Sequence, residues 1–349
     1  MFNYLLRKMF YGLLVLAGVV TLVFWMFQGF GDPARMVMGQ TGDSTTIANI
    51  KKELYLDQSK WKQFVLYVND VSPIAIHSKE EIEKKELNGF FIGSEKNLAF
   101  KVPYLRKSYL TKKEVWDVLM EALPGTIMLA LAAMFIATVL GITLGVIAAV
   151  KKDSWLDTSS VFTSILGISA PSFFMGILIA YLFGFVLSHY TGLNMTGSWF
   201  DIDVQTGEKK LTLQNLILPA ITLGIRPLAI ITQLTRSAML DVLNQDFIRT
   251  AYAKGLSKRT VIWKHALRNA LNPVITAVTG WFAELLAGAF FVEYIFGWRG
   301  IGKVTVDALE KLDYPVVMGS VLLSAFIFVL INILADVLYG VIDPRVRVK

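Results

Sequence analysis

The sequence contains no cysteine and only three histidines, His77, His189 and His265, which lie far apart. The lack of cysteine excludes disulfides, thiol chemistry and cysteine-ligated metal, and scattered histidines do not indicate a metal site. Charge is also scarce, at 17% of 349 residues, whereas soluble proteins carry about a quarter. Hydrophobic residues make up 54% of the chain, and its mean hydropathy is +0.54. These values indicate an integral membrane protein.

Six stretches are long and apolar enough to cross a bilayer, which takes roughly 20 residues of helix. The second and third carry no charged residue. Pro171 and Pro227 are expected to interrupt the helices in which they lie. The predicted fold class is all-α, a polytopic membrane protein with six transmembrane helices. The predicted spans are residues 9–30, 126–150, 160–188, 216–235, 273–296 and 316–342.

The distribution of basic residues predicts the orientation of these spans. With six spans, the basic clusters fall on one side, which the positive-inside rule makes cytoplasmic. Both termini are therefore predicted to be cytoplasmic. The net charge of +7 is then a marker of orientation and does not indicate a nucleic-acid partner. The clusters are Arg7 and Lys8, Lys151 and Lys152, the 236–272 loop, and Arg345, Arg347 and Lys349.

Three regions follow from this topology. Residues 1–30 form an N-terminal transmembrane helix, and residues 31–125 form an extracytoplasmic insertion between helices 1 and 2. Residues 126–349 form a five-helix core with a cytoplasmic loop at 236–272. Within the insertion, residues 70–100 form a polar stretch, which we expect to be a loop in preference to a small subdomain.

The loop between the fourth and fifth spans has a pattern of its own. Asp246 is a suitable N-cap and Gly255 can end a helix in the left-handed conformation, so 246–254 should form about two turns. Ser257 can cap a second helix that runs to about Asn272, before Pro273. So short an amphipathic helix needs a surface to dock against, and lipid headgroups are one candidate.

The sequence RTAYAKGLSKRTVIWKHALRNALNPV, from Arg249 to Val274, resembles the cytoplasmic EAA loop of ABC-transporter permeases of the dipeptide, oligopeptide and nickel importer family. Arg249 and Thr250 stand where the general loop has Glu and Ala, a departure similar to the peptide subfamily. The resemblance implies that the short helix is a coupling helix that docks on a separate ATPase subunit. Its residues are Asp246, Phe247, Ile248, Arg249, Thr250, Ala251, Tyr252, Ala253, Lys254 and Gly255.

Other segments resemble the same family. They include GDPARMVMG after the first span, ISAPSFFMGILIAYLF at 168–183, VEYIFGWRGIGKVTVDAL followed by DYPVVMGSVLL, and the terminal IDPRVRVK. Only about 70–100 has no recognisable counterpart. GWRGIGK also fits a phosphate-binding loop, but Val304 follows where Ser or Thr is needed, so that interpretation is rejected. The positions that match the family between the last two spans are Glu293, Gly300, Gly302, Asp307, Asp313, Tyr314 and Pro315.

The resemblance implies a MetI-like transmembrane fold, of the first permease subunit type, in a bacterial inner membrane. It implies a homologous second permease, two ATPase subunits of the same or different kind, and an extracytoplasmic solute-binding protein. ATP and magnesium would be used by the ATPase subunits, and this chain would bind no cofactor or metal. The implied solutes are di- or oligopeptides, with a nickel chelate as an alternative.

The sequence contains no recognisable constellation for catalysis, so the chain is predicted to be a transport subunit and not an enzyme. One competing hypothesis is a gradient-driven secondary transporter or channel, which predicts inverted repeats and charged unwound helices. A membrane-anchored scaffold is another, but it leaves the 246–273 loop without a purpose.

Arg226 and Glu284 are charged residues inside predicted spans, and such residues are usually functional. Counted along their helices at 1.5 Å per residue, both are expected near the midplane of the bilayer. We expect them either to form an ion pair that locks two helices together or to line a polar pathway for a zwitterionic peptide.

Overall fold

A computed structural model describes residues 2–29, 55–93, 96–202, 209–287 and 289–342. The GDPARMVMG segment and the basic residues after 342 lie outside the described residues. Within the described part, five helices are long and apolar enough to span a membrane, and one sharply bent helix pair would make a sixth. The five are Tyr4–Gln28, Val115–Val150, Leu213–Leu243, Lys258–Ala287 and Tyr314–Val337.

The bent pair is the third predicted span. Its two helices meet at Ala170 and Pro171 with an angle of 108° between them. Pro171 has extended backbone angles, and the residue before a proline is disfavoured in a helix, so the helix breaks there as expected. Pro227, by contrast, lies inside a continuous helix, so the expected interruption there is wrong. Neighbouring helices compensate for a missing hydrogen bond in such segments.

The chain divides into two compact units, and the larger comprises Met1–Met9, Pro124–Lys303 and Ile327–Lys349. Helix α8 (Ile217–Leu243) lies at its centre and packs against α5 (Trp155–Ser169), α6 (Ser172–Tyr181) and α11 (Leu267–Ala287). Helix α8 approaches α4 (Val115–Val150) closely at Gly145. Glycine is required there because a Cβ at Gly145 would lie 2.6 Å from the Thr235 side chain of α8. The helices with residues here are α1 (Phe2–Gly29), α4 (Val115–Val150), α5 (Trp155–Ser169), α6 (Ser172–Tyr181), α7 (Ser188–Thr191), α8 (Ile217–Leu243), α9 (Asp246–Ala253), α10 (Lys258–Thr260), α11 (Leu267–Ala287), α12 (Phe290–Ile295), α13 (Ile301–Glu310) and α14 (Tyr314–Ile342).

Wider and tighter helical turns join some of these helices. A π-helical turn, Leu182–Val186, follows α6, and a second, Val261–Ala266, connects α10 to α11. A 3₁₀ turn, Leu213–Leu216, precedes α8. A short antiparallel hairpin pairs β4 (Phe200–Ile202) with β5 (Lys209–Leu211).

The smaller unit comprises Phe10–Leu123 and Val304–Phe326. We call its segment Lys60–Lys101 the sheet module. It contains a three-stranded antiparallel sheet in the order β1-β3-β2. The expected loop at 70–100 is therefore wrong, and the mainly helical fold is not all-α. The elements are α2 (Lys60–Val71), β1 (Ile74–Ser78), α3 (Lys79–Lys84), β2 (Gly89–Ile92) and β3 (Lys96–Lys101).

Buried charge holds the sheet module together. The Asp70 carboxylate is buried and accepts a hydrogen bond from Lys85 Nζ at 2.5 Å, while Lys101 Nζ donates to the Asp70 carbonyl oxygen. Burial, with a smaller effect of the nearby Lys85 ammonium, lowers the pKa of Lys101 to about 8, although the negative charge of Asp70 opposes this shift. Asp70 thus binds two lysines, Lys85 through its carboxylate and Lys101 through its backbone carbonyl.

Candidate functional site

Helix α9 begins at Asp246, one residue earlier than predicted. Gln245 is the extended N-cap residue, without a side-chain cap, and Asp246 is the first residue of the helix. The expected N-cap role of Asp246 is therefore wrong, although a carboxylate there still interacts favourably with the helix dipole. Asp246 also lies 3.5 Å from Arg249, but both side chains are exposed, so this ion pair contributes little to stability.

One face of α9 is buried against the ends of neighbouring helices. Ile248 is only 2% exposed, and Ala251 is also buried. They belong to a single apolar cluster with residues of α4, α8 and the α10–α11 segment. The helix is thus fixed to three membrane-spanning helices. The other buried members are Val146, Ala149, Met239, Val242, Val261, Ile262, Ala266, Leu267 and Ala270.

The residues of α9 outside this buried stripe are uncovered, including the aromatic residues that flank it. Phe247 is 38% exposed, and Tyr252 and Leu256 are exposed to a similar extent. Arg249 is 79% exposed, and Lys254 is exposed beside it. Aromatic residues together with arginine are enriched in protein interfaces. This surface, which we call the α9 face, has the composition of a docking site.

A glycine ends α9 as the sequence predicts. Gly255 has φ of +79°, its N–H donates to the Tyr252 carbonyl at 2.9 Å, and the Leu256 N–H donates to the Ala251 carbonyl at 3.3 Å. This is a Schellman motif, which glycine favours because other residues are strained at positive φ. A Cβ at Gly255 would meet nothing within 4 Å, so the constraint is in the backbone alone.

The segment after Gly255 confirms one expectation and corrects another. The Ser257 hydroxyl accepts a hydrogen bond from the Thr260 N–H at 3.4 Å, so Ser257 caps the next helix as expected. Pro273, however, lies inside α11 and does not end the preceding helix. Packing outweighs the local rule, because Ala270 and Val274 on either side of the proline are both buried. The α9 face is thus followed by a helix that leads directly into a span.

Arg226 and Glu284 line one cavity of about 240 Å³ in the larger unit. The Arg226 guanidinium lies 5.8 Å from the centre of the Trp281 ring, and both charged side chains are exposed. No salt bridge joins these two described residues. Glu284 also lies one turn before the end of α11, not in the middle of a span. The cavity brings the two residues together without a direct ion pair.

The glycine-rich loop after α12 surrounds a buried carboxylate. Glu293 accepts hydrogen bonds from the Thr126 hydroxyl at 2.8 Å and from the Lys303 N–H at 3.2 Å. Burial raises the pKa of Glu293, and these hydrogen bonds oppose that rise. Any Cβ at Gly300 would collide with the carboxylate, and one at Gly302 would lie 2.6 Å from the Phe290 Cα. The GWRGIGK loop therefore holds Glu293, which explains both glycines.

The remaining family-like positions lie in the smaller unit. Asp313 is buried and accepts hydrogen bonds from the Ser108 hydroxyl at 2.5 Å and from the Tyr109 N–H at 3.0 Å. Tyr314 packs edge-on against Phe27 with ring centres 5.3 Å apart, and Pro315 follows it in the first turn of α14. Asp307 lies half-buried on α13. Asp313 thus joins the loop before α14 to residues 108 and 109, and Tyr314 joins the start of α14 to α1.

Sequence reasoning missed several partners. The buried Trp298 donates from Nε1 to the Gly125 carbonyl at 2.9 Å. Arg236 forms a bidentate salt bridge with Asp157, with distances of 2.5 and 2.8 Å. The sequence shows that Asp157 and Arg236 flank predicted spans, which indicates that they could pair. Their actual pairing depends on how α5 and α8 pack.

Comparison with known proteins identifies the class. The chain is the permease of an ABC importer, a multi-pass membrane protein. It belongs to the family described as binding-protein-dependent transport system inner membrane component, which matches residues 141–348. The N-terminal component of the same system matches residues 1–86. The match therefore extends into the 70–100 stretch, for which no counterpart was expected.

Individual relatives cover the whole chain. The dipeptide transport system permease of Escherichia coli strain K12 is 35% identical, over 100% of both chains. The di/tripeptide transport system permease of Pseudomonas aeruginosa strain UCBPP-PA14 is 36% identical over 99% of both. Among solved structures, an inward-facing methionine ABC transporter gives a TM-score of 0.48 at 15% identity, covering 65% of this chain and 97% of that chain.

Proposed function

We propose that this chain is one of two homologous permeases in an ATP-driven, binding-protein-dependent importer of di- or oligopeptides. It forms half of the translocation pathway, and two separate ATPase subunits, alike or different, hydrolyse ATP with magnesium. The chain itself is then neither an enzyme nor a cofactor-binding protein. The observation that carries this proposal is that α9 packs against the ends of spans along one side and leaves Phe247 and Tyr252 exposed.

The two faces of α9 suit a coupling helix. Ile248 and Ala251 fix the helix to the ends of α4, α8 and α11, while Phe247 and Tyr252 remain free for a partner. A displacement of the α9 face by closing ATPases is therefore passed to several spans at once. Alternating access follows as a two-state movement of these helices.

The proposed topology places both termini and the 236–272 loop in the cytoplasm of a bacterial cell. Residues 31–125, including the sheet module, are then extracytoplasmic and within reach of the solute-binding protein. The positive-inside pattern supports this arrangement. It also places the α9 face on the side where ATP is available.

The names of the relatives and the chemistry of the cavity both support a peptide as the solute. Arg226 offers a cation and Glu284 an anion within the same cavity, which suits the two termini of a zwitterion. Both groups are free to contact a solute because they do not neutralise each other. The expected pathway role of this pair is therefore favoured over the structural lock.

Reconstituted uptake tests the proposal. Proteoliposomes would contain this chain, its partner permease and the ATPases, with the binding protein outside and ATP enclosed on the other side. We expect uptake of labelled dialanine that requires both ATP and the binding protein. Uptake that follows an imposed ion gradient without ATP would indicate a secondary transporter, and uptake of a nickel chelate alone would reassign the solute.

A further inference from the structure

The ends of two spans and a loop enclose a small pocket in the smaller unit. Its volume is about 50 Å³. One water molecule needs about 10–15 Å³ on the same measure, so the pocket has room for a compact polar group of a few atoms. We call it the Arg106 pocket. Residues that line it include Phe24, Phe27, Gln28, Tyr67, Arg106 and Tyr314.

Two residues that line the Arg106 pocket each have a buried hydrogen-bond donor without an acceptor. Tyr67 is only 3% exposed, yet its hydroxyl has no hydrogen-bond partner among the described residues. Arg106 Nε is also buried without a partner. Burial raises the pKa of Tyr67, so the phenol remains a donor at neutral pH. Buried donors are rarely left unpaired in proteins, and two on residues that line one pocket point to a missing acceptor.

The backbone at Arg106 is strained in a way that keeps its side chain in place. Its φ is +69°, a left-handed conformation that few residues other than glycine adopt. The guanidinium also lies over the rings of Tyr67 and Tyr55, at 5.5 and 5.9 Å from their centres. Strain of this kind persists where the surrounding structure over-determines it, as at ligand clamps.

Carboxylates lie near Arg106 without pairing with it, since Glu86, Glu114 and Asp117 line a second cavity together with Arg106. The buried Asp70 carboxylate forms its salt bridge with Lys85, and Lys101 donates to the Asp70 backbone carbonyl. Arg106 forms no salt bridge within the described part of the chain. The missing acceptor is therefore an anion with oxygen atoms, which a guanidinium binds well.

The position of the pocket indicates where this anion comes from. Phe24, Phe27 and Gln28 belong to the last turns of the first span, and Tyr314 begins the last span, so the pocket lies at a membrane boundary. Phospholipid headgroups, which carry phosphate, lie at that boundary, and the guanidinium of an arginine is suited to binding phosphate oxygens. We propose that the Arg106 pocket binds the phosphate of a membrane phospholipid, with anionic lipids preferred.

Lipid binding to the purified importer complex tests this inference independently of transport. Native mass spectrometry would measure the dissociation constant of dioleoylphosphatidylglycerol for wild type, Arg106→Gly and Tyr67→Phe. Loss of charge-assisted hydrogen bonds should weaken binding by about tenfold or more in Arg106→Gly, and by less in Tyr67→Phe. Arg106→Gly should fold well, because glycine readily adopts φ of +69°.

The matched control is Lys62→Gln, which removes an exposed positive charge from α2, in the same unit. It should leave the dissociation constant unchanged, and phosphatidylcholine should bind more weakly than phosphatidylglycerol. Equal affinity of wild type and Arg106→Gly for phosphatidylglycerol would overturn the proposal. So would displacement of the lipid by equimolar inorganic phosphate, which would indicate a free-anion site, or by dialanine, which would indicate a solute site.

Discussion

Truncation of two neighbouring residues of α9 should affect different properties, the docking of α9 onto the spans in one case and the affinity for the ATPase subunits in the other. Ile248→Ala removes most of a buried side chain and leaves a cavity. The surrounding helices are long spans that cannot easily move to fill it. Such a change costs about 2–5 kcal/mol, and we expect about 3 kcal/mol here. Since 1.4 kcal/mol is a factor of ten, docking of α9 onto the spans weakens by about a hundredfold.

Phe247→Ala is the matched change on the α9 face. Phe247 is 38% exposed, so its truncation should alter stability by only about 0.5 kcal/mol. An aromatic residue at the centre of an interface contributes more than about 1 kcal/mol to binding. Affinity for the ATPase subunits should therefore fall by about tenfold while α9 stays docked.

Two measurements separate these outcomes. Hydrogen exchange of the amides in Asp246–Ala253 should become faster in Ile248→Ala and stay unchanged in Phe247→Ala. In assembled proteoliposomes, Ile248→Ala should hydrolyse ATP with less peptide taken up per ATP, whereas Phe247→Ala should lower both rates together. If the two variants behaved alike in both assays, the two-faced account of α9 would be refuted.

Three further predictions concern a turn, a buried carboxylate and a buried lysine. Gly255→Ala should lower the stability by about 1–2 kcal/mol because residue 255 has a φ of +79°, and Gly255→Asn should lower it less. Gly280→Ala is the control, since Gly280 lies in a helix and an added Cβ there also meets nothing within 4 Å, so this change should not destabilise. Thermal unfolding measures all three variants. Glu293→Gln should cost about 1–3 kcal/mol, since an amide group then faces hydrogen-bond donors, and an unchanged melting temperature would contradict this. Lys101 has a pKa lowered to about 8, so between about pH 8 and 10.5 the unfolded chain holds a proton that the folded chain lacks, and stability should rise with pH. Lys101→Met should abolish that rise in stability, which hydrogen exchange of the sheet module measures.

The sequence predicts spans and turns well where one local rule governs them. Charge-free stretches identify the second and third spans, and Gly255 and Pro171 act through their own backbone angles. Pro227 and Pro273 follow no such rule, because packing of the surrounding helices compensates for a lost hydrogen bond.

The sheet module was missed because its pattern is inverted. Ile74 and Ile76 alternate with Ala75 and His77, which is the period of a strand, but the large apolar residues are exposed and His77 is buried. A periodicity argument assumes that large apolar residues point inwards. Polar residues in an inward position therefore made the segment resemble a loop.

Contacts between distant residues were beyond sequence reasoning. Glu293 and Thr126 are 167 residues apart, and Asp313 and Ser108 are 205 apart. The family-like positions could be named from the sequence, but their roles as buried hydrogen-bond acceptors follow only from the folded structure. The lack of an ion pair between Arg226 and Glu284 likewise depends on side-chain positions.

Cross-linking tests the central claim, that α9 contacts an ATPase, most directly, because the natural chain contains no cysteine. Tyr252→Cys would be combined with single cysteines in the ATPase surface and compared with Tyr190→Cys, at a position 85% exposed in another part of the same unit. The account predicts a strong cross-link from position 252, changed by ATP, and none from position 190. Equal cross-linking from both positions, or none from position 252 in an assembled complex, would contradict it.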